Sequence, residues 1–345
     1  MPGNPYEDLP PEAFWRTAVA NRTIFDLSGL WRPRFGMDTG DPVVTFGSCF
    51  AQHIGRALRE RGFAWLDAEP APDGLSAGNA RRFNYGIFSA RTANIYTTSL
   101  LLQWTRWAMD IAAPPSEYWE DGGRIFDPFR PKIEPNGFAS VSEMSRSRKR
   151  AIASFSDCIR SARHFVFTLG LTESWWNRQG GYEYPLCPGT AGGSFDAALH
   201  RFDNQDFGFV AEQLTAAMDL MKQANPQLKF LLTVSPVPLT ATMSGKHVLV
   251  ATQHSKAILR AVAGQLAAAR ADTDYFPSYE IITSAVARSM FYESNLRQVT
   301  SHGVDQVMRH FFSGLGLSGG AMAAAQQPDA DVNCEEELLD AFGTP

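Results

Sequence analysis

Residues 43–50 read Val-Val-Thr-Phe-Gly-Ser-Cys-Phe, a β-rich run that breaks at Gly47-Ser48 and passes straight into a helical pattern. A serine on a sharp turn at the carboxyl end of a buried strand is how several α/β hydrolytic folds expose a nucleophile. The turn lifts the hydroxyl out of the core, and the N-terminus of the next helix offers backbone N–H groups to a developing oxyanion. Cys49 is a second candidate, because a thiol at a helix N-terminus ionises more readily; a buried structural thiol is the competing reading. Such a serine needs a base. The histidines are His53, His164, His200, His247, His254, His302 and His310. His53 would be rotated about 140° from Ser48 around a helix and about 7.5 Å along it, which turns its ring away. His247 follows the strand-like run ending at Ser235, on a loop at the edge where α/β sheets bind ligands, and is the preferred base. His302 is the fallback, and a surface or packing role is the plain alternative for either. His254 stands beside Ser255-Lys256, which fits a Ser-Lys pair or a simple helix start. Glu280, in a strand-like segment, could orient an imidazole or pair with Arg260 or Arg297; Glu173 has the same two readings. No His/Cys/Asp/Glu spacing recurs as metal ligands do, so neither metal nor cofactor is expected.

These residues need elements to hold them. Phe50, Ile54, Ala57 and Leu58 share one helical face that stops at Gly62. Residues 164–170 and 228–235 read as buried strands, the second ended by Pro236 and Pro238, and 274–282 is strand-like. Helical patterns span about 141–162, 207–223, 251–270 and 303–315, with an island near 98–111. Residues 63–140 and 171–205 read as long irregular insertions, the second carrying Trp175 and Trp176. Alternation of strand and helix predicts a parallel, doubly wound sheet. Its ligand crevice lies beyond the carboxyl ends of the strands, where Gly47–Cys49, Gly170–Trp176 and the stretch from Ser235 to His247 fall.

The bulk properties narrow the function. A chain of 345 residues with 44% hydrophobic and 19% charged content can bury a large core, and eight tryptophans with 24 phenylalanines leave aromatics over to line a cleft. A net charge of -5 gives no footprint for nucleic acid, and the run Arg146–Arg150 fits a solvated helix face. No secretory pattern opens the sequence, and no apolar run is long enough to span a membrane. Four cysteines without CxxC spacing read as thiols of a cytoplasmic protein. From about residue 317 the Gly-, Ala-, Gln- and Glu-rich composition predicts a disordered tail.

Gly47-Ser-Cys-Phe-Ala51 resembles the signature for which the GSCFA domain family is named. The likeness continues through Asn4-Pro-Tyr6, Phe14-Trp-Arg16, Asn94-Ile-Tyr-Thr97, Asp127-Pro-Phe-Arg-Pro131, Gly137-Phe-Ala-Ser140 and Thr168-Leu-Gly-Leu-Thr-Glu173. It extends through Thr233–Leu239, Ser255-Lys256, Tyr275–Glu280 and Gly303-Val-Asp305, covering about residues 4–316. That family is similar to the SGNH (GDSL-like) hydrolases, many of which are esterases, glycan deacetylases or glycan O-acyltransferases. The resemblance implies that Ser48 is the nucleophile and its own N–H one oxyanion donor. It places further donors at Gly86, in Asn84-Tyr-Gly86, and at Thr172, where the relatives carry Asn. The C-terminal Asp-x-x-His register reads Asn295-Leu-Arg-Gln298, with neither carboxylate nor imidazole, and Gln cannot accept a proton at neutral pH.

Together these readings predict one domain over 1–316, a three-layer α/β/α parallel sheet of SGNH-like, flavodoxin-like topology with large loop insertions, and a tail over 317–345. The expected function is a serine esterase or acyltransferase using Ser48, His247 and Glu280 on a small acyl ester, an acetyl ester above all, of a carbohydrate or polyol. The alternative is a catalytically silent module that binds a glycan or a partner. A small-molecule or glycan substrate is expected, with no nucleic acid and no membrane span.

Overall fold

The computed structural model describes residues 3–317 and 334–343. In chain order its main elements are β1 (Val43–Gly47), α1 (Phe50–Glu60), α2 (Ala77–Arg82), α3 (Thr98–Ala108), β2 (Trp119–Asp121), β3 (Arg124–Phe126) and α4 (Val141–Ser161). Then come β4 (His164–Leu169), β5 (Glu173–Asn177), β6 (Glu183–Tyr184), β7 (His200–Asn204), α5 (Phe207–Ala224), β8 (Lys229–Val234), α6 (Val248–Ala269), β9 (Thr273–Tyr275), α7 (Ser278–Thr283) and α8 (Ser301–Gly314).

Strands β1, β4, β8 and β9 lie side by side in that order, all parallel. Val44, Phe46, Phe165, Phe167, Phe230 and Leu232 pack into one core with α3, α4, α5 and α6. Val43, Val166 and Leu231 pack into a second core with α1, α7 and α8. Helices on both faces explain why these strands are near-continuous apolar runs rather than alternating ones. The chain is therefore α/β, as its alternation of elements predicted. On the outer edge of β1 a single parallel bridge joins Val43 to Trp65. Val43 N–H donates to Ala64 O at 3.0 Å, and Leu66 N–H donates to Val43 O at 2.9 Å. The chain thus passes one side of β1 at residues 64–66 and returns on its other side as β4.

The two insertions are more ordered than their composition suggested. Within 63–140, Leu100, Leu101, Trp104 and Trp107 of α3 join the larger core, and β2–β3 form a hairpin. Buried Asp127 anchors this region, holding Arg130 and Arg148 at 2.8 Å each. Residues 171–205 are a correction: strands β6, β5 and β7 form a separate antiparallel sheet. The glycines and prolines that marked a loop there sit in its connections, while Trp175 and Trp176 lie on β5. A second correction concerns 274–282. The strand ends at Tyr275, Pro277 caps a turn, and Ser278–Thr283 is helical, so Glu280 stands on a short helix. The β-branched Ile281 and Ile282 suggested a strand, but they are buried in the second core as part of that helix.

Of the stretch read as a disordered tail, residues 318–333 lie outside the described residues. Residues Glu335–Phe342 form a 3-10 helix with Glu335 and Glu336 buried. Among the described residues no helix is long and apolar enough to cross a membrane.

Candidate active site

Gly47 ends β1 at φ +125°, where a Cβ would lie 2.2 Å from the Thr168 carbonyl oxygen. Only glycine fits so close a backbone approach in that conformation. The peptide can then turn while Ser48 N–H donates to Thr168 O at 3.0 Å. That donor belongs to the β1–β4 ladder, so it does not serve the oxyanion role the resemblance implied. Ala51 N–H donates to Ser48 O and Gln52 N–H to Cys49 O, which starts α1 at once. The N–H groups of Cys49 and Phe50 therefore belong to a first helical turn, where the helix itself supplies no acceptor. The Ser48 side chain is 3% exposed, and among the described residues its Oγ has no hydrogen-bond partner. Buried hydroxyls are nearly always bonded, and Ser48 Oγ shares its unpartnered state with Thr98 Oγ1 and Thr168 Oγ1.

Three segments converge on this turn. Gly170, just after β4, lies so near that a Cβ there would sit 3.0 Å from Ser48 Cβ and 3.1 Å from Tyr96 O. Its N–H and that of Leu171 both donate to Tyr96 O, and Ile95 N–H donates to Gly47 O at 2.8 Å. The segment 94–96 is thereby stitched to the ends of β1 and β4. From α6, fully buried Lys256 donates its Nζ to Gly170 O at 2.7 Å. Burial pulls this amine down to about 8, against the opposing pull of Glu336 and Cys49. Gln52 donates to Asn94 Oδ1 at 3.0 Å.

The fourth contributor is the C-terminal segment. The Glu335 carboxylate accepts from Asn94 Nδ2 and, at 3.0 Å, from the Tyr96 hydroxyl. The Glu336 carboxylate accepts from Thr240 N–H at 2.8 Å and from Arg297 at 3.3 Å. Arg297 also holds Glu337 and lies 3.9 Å from Cys334 Sγ. The Cys49 and Cys334 thiols act on each other: this interaction, together with burial, pushes Cys49 well up, and the same interaction lowers Cys334. Cys49 is thus a buried, protonated thiol, in line with the structural reading.

A sequence profile of the GSCFA family matches residues 42–311. The chain belongs to the GSCFA family. No curated protein and no solved structure matches it. The matched span runs from the residue before β1 into α8, so this GSCFA region contains Ser48, Asn94, Gly170, Lys256 and Arg297. Cys334–Glu337 lie outside it.

The other residues expected at the site have partners of their own. His247 is the N-cap of α6, its Nδ1 accepting from Leu249 N–H at 3.2 Å. Glu280 pairs with Arg260 and accepts from the Tyr275 hydroxyl at 2.8 Å, which is the ion-pair alternative weighed for it. Neither is hydrogen-bonded to the other or to Ser48. Gly86 has φ +68°, and its carbonyl accepts from Arg59 at 3.0 Å. Thr172 directs its N–H to Ser255 Oγ at 3.2 Å and its hydroxyl to Asn204 at 2.7 Å. The Glu173 carboxylate accepts from Thr242 and from Met243 N–H. His53 is buried with its ring 5.5 Å from Phe50, and burial holds it down to about 3; His302 is exposed on α8. Trp175 packs on Phe195 and Phe202, and the Trp176 indole N–H donates to Ser174 at 2.8 Å.

Sequence reasoning passed over Asn94 and Arg297 as site residues and set Lys256 aside as part of a helix start. Each had a signal. Asn94-Ile-Tyr-Thr97 is one of the resembling blocks. Arg297 lies inside the Asn295–Gln298 register, where Asn295 Oδ1 accepts the N–H groups of Arg297 and Gln298 at 3.0 Å and shapes the turn. Among the described residues no group of three or more His, Cys, Asp or Glu could hold a metal ion.

Proposed function

We propose that this GSCFA protein is a serine esterase or acyltransferase of SGNH-like architecture, acting on a small acyl ester, chiefly acetyl, of a carbohydrate or polyol. The observation that carries the reading is the buried, unpartnered Ser48 hydroxyl at the carboxyl end of β1, against Gly170, whose carbonyl holds Lys256. The carboxyl ends of parallel strands are where such sheets bind ligands, and residues 64–66 run beside β1 on the side away from β4, which supports a continued doubly wound order. Lys256, with its amine near 8, is the group best suited to take the serine proton. At pH 7 roughly one molecule in ten carries it neutral, and burial keeps the charged form unfavourable. Serine attack on the ester carbonyl breaks the bond to the alcohol, which leaves with the proton held by Lys256, and forms an acyl-enzyme; the N–H groups opening α1 are the donors available to the developing oxyanion. His247 remains the competing base. The four free cysteines suit a reducing, cytoplasmic setting.

A fluorophosphonate probe and p-nitrophenyl acetate test this directly. Wild type should be labelled at Ser48 and turn over the ester, and Ser48→Ala should do neither while keeping its fold. Equal labelling of both proteins removes Ser48 from the role. The second reading, a silent glycan-binding module, is favoured by the absence, among the described residues, of any base hydrogen-bonded to Ser48 Oγ. It is the one left if neither assay responds while a saccharide still binds.

A further inference from the structure

Two buried carboxylates, both from the segment Glu335–Phe342, are received by residues of the GSCFA region. Glu335 and Glu336 are 3% and 4% exposed. One is received by the Asn94 amide and the Tyr96 hydroxyl, the other by the Thr240 N–H and Arg297. A guanidinium, a backbone N–H, an amide and a phenol arranged around two carboxylates form an anion-recognition set. The fit is incomplete. Among the described residues Glu335 Oε1, Thr240 Oγ1 and Arg297 Nε, like Ser48 Oγ, have no partner. A buried carboxylate held imperfectly is costly. Burial raises both carboxyls above their ordinary range, against the pull of Arg297 and Lys256 on Glu336. The segment is an eight-residue 3-10 helix, longer than that conformation usually sustains. It also lies outside the span matched by the GSCFA family, whereas all four receiving residues lie inside it.

We infer that Asn94, Tyr96, Thr240 and Arg297 form a subsite for a carboxylate-bearing ligand, and that Cys334–Glu337 occupies it as an internal stand-in. Ligand and segment compete for the same donors. For the acyl chemistry this narrows the acceptor to an acidic sugar or similar carboxylate-bearing polyol. That narrowing rests on the Ser48 reading, whereas the binding itself does not.

The test uses the full chain, kept reduced, with D-glucuronate as probe and D-glucose as its uncharged counterpart, binding being followed by calorimetry. Glu336→Lys sets a cation against Arg297 and Lys256 and weakens the internal occupant. It should tighten glucuronate binding by about tenfold or more, because the competent state is no longer a minor one. Arg297→Met should abolish that binding, glucose should not bind, and Ser48→Ala should bind glucuronate as wild type does. The Cys49–Cys334 contact supplies a second route that needs no change at the carboxylates. With glutathione disulfide, the two protein thiols are oxidised to one disulfide and the reagent is reduced to two glutathione molecules, the thiol protons moving to the leaving thiolates. The pinned segment should exclude glucuronate, dithiothreitol should restore binding, and Cys334→Ser should be indifferent to the oxidant. The inference is overturned if Glu336→Lys binds no tighter, if glucose binds equally well, if the pinned protein binds unchanged, or if peptide mapping finds no Cys49–Cys334 link. Glucuronate binding with no ester turnover rejects the Ser48 chemistry alone; turnover of neutral esters without glucuronate binding rejects only the subsite.

Discussion

Ser48 and Lys256 are drawn together by a glycine rather than by a bond to each other. Gly170 touches the serine through space and the lysine through its carbonyl, so any Cβ at that position would press on the Ser48 side chain. The serine was legible because strand, glycine, serine and helix follow one another within a few residues. The lysine was not, because its meaning depends on burial, which residue type alone does not reveal. If Lys256 is the base, the ester rate should rise with pH and level off above about 8, since the amine must lose its proton to accept another. Lys256→Met should lower kcat roughly 10²–10⁴-fold, the usual worth of a positioned base. Lys256→Arg should not rescue it, because a guanidinium stays protonated. An unchanged pH profile in Lys256→Met, together with loss of activity in His247→Ala, would return the role to His247.

Among the elements, β1 and β4 were readable because both faces are buried and their apolar runs are unbroken. The small sheet built from β5, β6 and β7 was hidden because its strands are short, mixed in polarity and separated by glycine-rich turns. Glu280 was misplaced for a related reason: two isoleucines on a short helix look like strand until Pro277 is given its weight. Element positions carry two further expected outcomes. Gly47→Ala places a Cβ 2.2 Å from the Thr168 carbonyl in a strained backbone region. The β1–β4 ladder must part there, so the variant should be strongly destabilised in urea titrations; a midpoint like wild type would contradict this. Asp127→Ala leaves the buried guanidinium groups of Arg130 and Arg148 without their counter-charge. The loss should be about 3–5 kcal/mol, as when one partner of a buried ion pair is removed. A loss under about 1 kcal/mol would mean that the insertion carrying Asp127 contributes little to the folded core.

For the whole molecule, the return of the C-terminus to the turn after β1 could not be read from sequence, since a polar, Glu-rich stretch is also what a solvated tail looks like. Burial of titratable groups leaves a signature in overall stability. His53, His164 and His310 are all lowered, in each case chiefly by burial. Glu183 works the other way, pushed up to about 8 by burial, so between about pH 4.5 and 8 the folded chain keeps a proton there that the unfolded chain releases. The two kinds of group oppose each other, and the total pH profile does not separate them. A variant does. His53 titrates at about 3 when folded and near 6.5 when unfolded. Between those values the unfolded state binds the extra proton, so this group's contribution is complete above pH 6.5 and falls as the solution is acidified. His53→Gln removes that dependence and adds an offset that is the same at every pH. Relative to wild type, the variant should therefore gain about 2 kcal/mol on going from pH 7 to pH 5, measured by urea unfolding at both values. A gap that stays constant would show that the His53 ring takes up its proton in the folded chain, and that the helix face carrying it is open to water.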